Sequence, residues 1–213
     1  MGMMDQPVDL RVVELLSARL CHDLVGPIAA ISNGVELMSD DDPDFVRDAV
    51  ALVGDSAHRA ATRLQFYRFA FGYRQGGTAG PQPHALAGEL FEGTSTLCDY
   101  GEAVRKMGLD WQKLACNLLL VAGEALPRGG RLIVGAGADG PELEAIGEGK
   151  GPGPEIRAAL ALEAPVAELT ARTVAAYFAG LLGRALGCRI AIANAPGSFR
   201  FSVVALSRQS AQG

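Results

Sequence analysis

The run Leu20-Cys21-His22-Asp23-Leu24-Val25-Gly26-Pro27-Ile28 sets an imidazole beside a carboxylate, with a proline five residues after the histidine. A neutral imidazole is a nucleophile and a proton acceptor near pH 7, and a neighbouring carboxylate can orient the ring or tune its basicity. That chemistry needs a ring that a second molecule can reach. Apolar residues at Leu10, Val13, Leu20, Leu24, Ile31, Val35 and Met38 recur at steps close to three, four or seven, which lays them along one stripe of a helix. At about 100° per residue, His22 stands roughly 200° from both Leu20 and Leu24, on the polar side of that stripe. Pro27 removes a backbone donor and crowds the Asp23 carbonyl four residues earlier, which predicts a bend one turn past the histidine. Taken alone, the pattern also describes an ordinary surface histidine beside a kink, with Asp23 a solvated neighbour.

The elements that must position His22 are helical. The first helix is expected over about 9–38, stopped by Ser39-Asp40-Asp41-Asp42-Pro43, where Asp42 is an N-cap and Pro43 fits the first position of the next helix. That second helix carries Val46, Val50, Val53, Ala57, Ala60, Leu64, Tyr67 and Phe71, a 4-3-4-3 heptad seam. Two long helices joined by a short turn form an antiparallel hairpin. Apolar residues flanking the seams, among them Ile28, Ala29 and Ala49, exceed what one partner helix covers, so two hairpins are expected to pair as a dimeric four-helix bundle.

After residue 76 the chemistry changes. Residues 77–83 are rich in glycine and proline and read as a linker between a helical region, 1–76, and a second region, 84–213. The second region reads as a short helix near 84–93, a strand at 96–100, a helix at 111–126 and strands at 131–135 and 142–146. A long helix near 170–186 and a closing hairpin of strands, 189–193 and 199–205, follow. Helices set against such a sheet make an α+β sandwich.

Composition narrows the classes. The chain of 213 residues is 49% hydrophobic and 20% charged with a net charge of −5, and it has no basic stripe, which argues against nucleic acid as a partner. The four cysteines are widely separated and form no C-x-x-C pair, which argues against a metal centre or a disulfide framework. No apolar run reaches membrane-spanning length and no leader stands at Met1, so a cytoplasmic location without membrane attachment is expected.

A histidine-bearing hairpin followed by this sandwich resembles a two-component histidine kinase, whose phospho-accepting motif the run His22-Asp23-Leu24-x-x-Pro27 matches, and whose ATP-binding fold the second region follows in its order of elements. Three nucleotide motifs of that family are altered. The run Asn117-Leu118-Leu119-Leu120-Val121-Ala122 has valine where the family's second Asn holds Mg²⁺, and valine offers a hard cation no oxygen. Gly147-Glu148-Gly149-Lys150-Gly151 keeps the G-x-G but has glycine where an aspartate reads adenine. Leu169-Thr170-Ala171-Arg172-Thr173-Val174 has no glycine where a phosphate-clamping loop belongs.

The combination resembles the ChpT-type histidine phosphotransferases of bacterial phosphorelays, over essentially the whole chain. The resemblance implies a dimeric phosphoryl carrier with a degenerate ATPase-like second domain and no cofactor of its own. It would stand between the receiver domain of a hybrid histidine kinase and response regulators. His22 would be the phosphoacceptor and Asp23 its orienting or tuning neighbour, with Mg²⁺ supplied by the receiver. Gly26, Ala29 and Ala30 would let a receiver's loops approach, or else permit tight helix packing. Arg59 and Arg63, an i, i+4 pair, would lie near the phosphoryl group or be plain surface arginines, and Arg172 would be a second docking contact or belong to a plain core helix. The competing functions are an atypical histidine kinase that still uses ATP and a dimeric receiver-binding scaffold that carries no phosphate.

Overall fold

Asp9 opens α1 (Leu10–Leu37) by accepting a hydrogen bond from the Arg11 amide, and Asp42 opens α2 (Pro43–Ala70) by accepting from the Asp44 amide. Each cap pairs a donor that the first turn of a helix leaves free, and Pro43 stands where no donor is required. The computed structural model describes residues 9–72 and 81–206, so the expected linker lies outside the described residues up to residue 80. α1 and α2 form an antiparallel hairpin. They approach closely at Gly34, where a Cβ would sit 2.6 Å from Val53 Cγ2.

The heptad seam of α2 is only partly covered within the chain. Tyr67 is buried and Val46, Val53 and Ala60 are half-buried, whereas Val50, Ala57 and Leu64 are exposed. On α1 the expected stripe likewise lies at the margin of the pair. Leu10, Val13 and Val35 are exposed, while the residues α1 buries are Val12, Arg19 and Gly34. The hairpin therefore meets the rest of the chain through residues beside the periodic stripe.

After the hairpin come α3 (Pro83–Phe91), β1 (Thr96–Tyr100), α4 (Glu102–Arg105), α5 (Leu109–Glu124), β2 (Gly130–Ala136) and β3 (Pro141–Ile146). The chain continues with α6 (Pro154–Leu160), a 3-10 turn at Val166–Glu168, α7 (Val174–Ala185), β4 (Cys188–Ala195) and β5 (Ser198–Ala205). The strands make one mixed sheet in the order β1-β2-β3-β5-β4, with β1 parallel to β2 and the other pairs antiparallel. Alternation sends Leu132, Val134, Leu143, Ala145, Phe199 and Phe201 inward under the helices. The opposite face holds ion pairs, Arg131 with Asp99 and Arg200 with Glu144. This is the expected α+β sandwich. α4, α6 and the 3-10 turn escaped the sequence reading, because three to seven residues are too few to display a helical period.

α5 is buried on every side between Gln112 and Ala122, because the sheet covers one face and neighbouring helices, α2 among them, cover the other. Its polar residues hold the end of the hairpin. The Asn117 amide donates to the carbonyls of Ala70 and Lys113 at 2.9 Å, and Lys113 Nζ donates to the Gly72 carbonyl at 2.8 Å. From the other side, Arg11 donates to the Leu169 carbonyl at 3.1 Å and Arg19 to the Ala171 carbonyl at 3.3 Å. Buried amides bonded in this way cost stability when removed, because the partner carbonyl is left unpaired. Asn117→Ala is expected to lower unfolding stability by about 2–3 kcal/mol, read as a shift in the denaturant midpoint. An unchanged midpoint would show that Asn117 does not tie the hairpin to α5.

Candidate functional site

Pro27 determines the local backbone. It has no N–H for the carbonyl of Asp23, yet α1 runs unbroken through it. Arg63 of α2 supplies the missing donor: its Nη1 lies 2.7 Å from the Asp23 carbonyl oxygen. The same residue's carboxylate is held at both oxygens. Tyr67 donates its hydroxyl to Asp23 Oδ2 at 2.5 Å, and Asp23 Oδ1 lies 3.2 Å from His22 Nδ1. Arg19 Nε stands 4.0 Å from Oδ2. Burial first, and then the Asp23 bond, push the Tyr67 hydroxyl well above the usual tyrosine range, so it remains a donor at any physiological pH.

His22 itself projects into solvent, with its side chain 88% exposed. A carboxylate accepts, so a hydrogen bond from the ring to Asp23 requires the Nδ1–H tautomer, in which Nε2 keeps its lone pair. The arrangement presents an uncovered nucleophilic nitrogen on a rigid helix.

The residues around it differ in position. Gly26 faces open space, with nothing within 4 Å of where a Cβ would be, and Ala29 is exposed while Ala30 is half-buried. Arg59 is exposed on α2, and Arg172 is exposed next to Ala171, whose carbonyl Arg19 holds. Arg63 is half-buried and reaches the residue that follows the histidine. Its guanidinium is turned to the Asp23 carbonyl, drawn there because Pro27 leaves that oxygen without a partner. The other histidines lie elsewhere. His58 is exposed on α2, and His84 packs its ring 6.4 Å from that of Tyr100, where burial and then Arg105 lower its affinity for a proton.

Two functional-site residues escaped the sequence reading. Tyr67 registered only as a seam residue, and Arg19 gave no signal at all. Arg19 is 6% exposed and forms an ion pair with Glu124 of α5, three residues before the histidine. A buried guanidinium of this kind needs several acceptors, and it has Glu124 and the Ala171 carbonyl. For the role of Arg63, a usable clue was the vacated carbonyl that a proline within a helix creates four residues upstream. Between the hairpin and the sandwich lies a cleft of about 260 Å³, with Asp23, Arg63 and Tyr67 on one wall and Phe91, Thr94 and Glu124 on the other.

The three altered nucleotide motifs are used for packing. Val121 is 4% exposed within the core. A Cβ on Gly147 would stand 2.8 Å from the Gly129 carbonyl and 3.2 Å from Leu126 Cδ2, so an aspartate cannot be placed there without backbone movement. Leu169 is buried, its carbonyl bonded to Arg11, and Thr170 and Thr173 are hydrogen-bonded to each other. These residues do not fit Mg²⁺-ATP. Among the described residues no cluster of His, Cys, Asp or Glu could hold a metal ion, and no helix is long and apolar enough to cross a membrane.

Comparison with known proteins agrees with this geometry. A solved structure described as a bacterial phosphotransferase at 1.7 Å superposes with a TM-score of 0.72 at 30% identity, over 93% of this chain and 98% of that one. The protein phosphotransferase ChpT of Brucella abortus (strain 2308) is 38% identical over 139 residues, 62% of this chain. The match covers 65% of that relative, a little under two thirds of its length. The sequence profile of the histidine phosphotransferase C-terminal domain matches residues 82–197, more than half of the chain. On that match the chain belongs to the histidine phosphotransferase family.

Proposed function

We propose that this chain relays a phosphoryl group through His22, from the receiver aspartate of a hybrid histidine kinase to the receiver domains of response regulators. The observation that carries the reading is the exposed ring, tethered at Nδ1 by Asp23 and bare at Nε2. In the step, the Nε2 lone pair attacks the phosphorus of the aspartyl phosphate and the bond to the aspartyl oxygen breaks. The carboxylate leaves with that electron pair, and Nδ1 keeps its hydrogen. The ring thereby becomes cationic, and Asp23 at 3.2 Å stabilises that charge. Mg²⁺ and the acidic pocket belong to the receiver, so this chain has only to hold the nucleophile in line. No ATP is needed, which accords with the packing at Val121 and Gly147.

We further propose a homodimer. At about 100° per residue, Leu10, Val13, Leu24, Ile28, Ile31 and Val35 fall within an arc of about 60° on α1, and Val46, Val50, Val53, Ala57 and Leu64 do so on α2. In an antiparallel pair both arcs are displaced in the same rotational sense from the meeting faces, so they open on one side of the hairpin. Leu10, Val13, Ile28, Val35, Val50 and Leu64 are 50% or more exposed there. A four-helix bundle covers such a face. His22 lies about 150° from the centre of the α1 arc, so it stays open when that face is covered. Receivers then dock over Gly26, Ala29 and Ala30 beside His22, with Arg59 of α2 and Arg172 of the second domain as charged contacts. The two domains, joined by the linker 77–83, present one surface. A cytoplasmic location suits receiver partners.

Three outcomes test the reading. Incubated with a receiver domain labelled on its aspartyl phosphate, the full chain acquires acid-labile label and His22→Ala acquires none. Label taken from ATP and Mg²⁺ alone would overturn the proposal in favour of a kinase, and label persisting in His22→Ala would exclude the histidine. Restoring the lost motif residues in a Val121→Asn, Gly147→Asp variant creates no saturable binding of a fluorescent ATP analogue, because the Gly147 position is closed. Saturable binding by the native chain would contradict the degenerate-site account. Light scattering gives a mass near twice 22.2 kDa that halves in a Val50→Glu, Leu64→Glu variant with its helicity intact. A monomeric native chain would remove the dimer.

A further inference from the structure

We propose that Tyr67 is a positioning residue for transfer: its hydroxyl fixes Asp23 so that Asp23 keeps His22 in the Nδ1–H tautomer and leaves Nε2 as the accepting nitrogen. The inference rests on the phosphotransfer reading and adds to it the group that prepares the nucleophile. A free aspartate on a helix samples several rotamers, and few of them place an oxygen on the preceding side chain. Here the rotamer is set from the other helix. Tyr67 is 6% exposed, and its ring is held edge-on by Phe66 at 6.2 Å and stacked by Phe71 at 5.7 Å, so the hydroxyl is aimed by packing.

No other group replaces it. Arg19 Nε has no hydrogen-bond partner and stands 4.0 Å from Oδ2, too far for a hydrogen bond, while its Nη1 and Nη2 are held by the Ala171 carbonyl and Glu124. Arg63 bonds the Asp23 backbone. The Tyr67 bond, at 2.5 Å, is the short one to the carboxylate oxygen that does not face His22. With Oδ2 held, Oδ1 faces Nδ1, and the tautomer follows from the hydrogen bond the second nitrogen makes. In the transfer step the hydroxyl keeps its proton and the carboxylate keeps its charge, opposite the cationic ring.

The test uses the full chain and Tyr67→Phe, which removes the oxygen and keeps the ring packing. Long-range proton–nitrogen correlation spectra at pH 8 give the His22 tautomer directly, with no receiver present. The native chain shows Nδ1–H as the major form. Tyr67→Phe, and separately Asp23→Asn, raise the Nε2–H fraction at least twofold, towards the mixture of free histidine. In parallel, transfer from a phosphorylated receiver slows by about tenfold in Tyr67→Phe. In an Asp23→Asn background the same change has little further effect, as expected for residues acting through one another. An unchanged tautomer in Tyr67→Phe overturns the proposal, as does an equal slowing with and without Asp23. A tautomer shift together with no transfer to the native chain would instead uphold Tyr67 and reject the phosphotransfer reading.

Discussion

The carbonyl and carboxylate of Asp23 are the point from which the site is built. Pro27 strips the carbonyl of its helical donor, and a bare buried acceptor costs on the order of 1–3 kcal/mol. Arg63 answers at 2.7 Å and Tyr67, one turn further along α2, takes the carboxylate at 2.5 Å. Both residues come from the partner helix, so the hairpin's register determines how His22 is held. The proline therefore does more than loosen the helix: it creates the vacancy that locks α2 onto the residue next to the nucleophile.

A second set of contacts fixes what stands beside the histidine. Arg11 and Arg19 reach from α1 to the carbonyls of residues 169 and 171, and Arg19 also grips Glu124. Asn117 and Lys113 hold the far end of α2. In a kinase of similar architecture the corresponding segments would bind nucleotide and need freedom to deliver it. Here backbone carbonyls from one such segment are spent on arginines of the hairpin, and the position for an adenine-reading aspartate is closed by the Gly129 carbonyl. The packing of the altered motif segments and the clamping of the second region onto the first have one physical basis.

Much of this was legible in the sequence because it rests on local rules. The cap at Asp42, Pro43 at a helix start, the alternation of the strands and the polar setting of His22 all follow from nearest-neighbour chemistry, and each expected element lies within a few residues of its expected bounds. What was not legible depended on pairing across helices. The seam of α2 gave its period but not which of its residues are covered within the chain and which stay exposed, since both sets obey the same spacing. Arg63 looked like a surface arginine because its acceptor, the Asp23 carbonyl, is 40 residues away. Arg19 was silent for the same reason, with its partner 105 residues on. Short elements such as α4 and α6 carry too little pattern to be seen.

The account turns on His22 lying within one surface formed by both parts of the chain. Amide hydrogen exchange, followed with and without a beryllofluoride-activated receiver domain, measures that surface directly. The account predicts slowed exchange together in residues 20–30 of α1, the stretch of α2 around Arg59, and residues 169–172. Protection confined to the hairpin, with residues 169–172 exchanging as in the free chain, would contradict it.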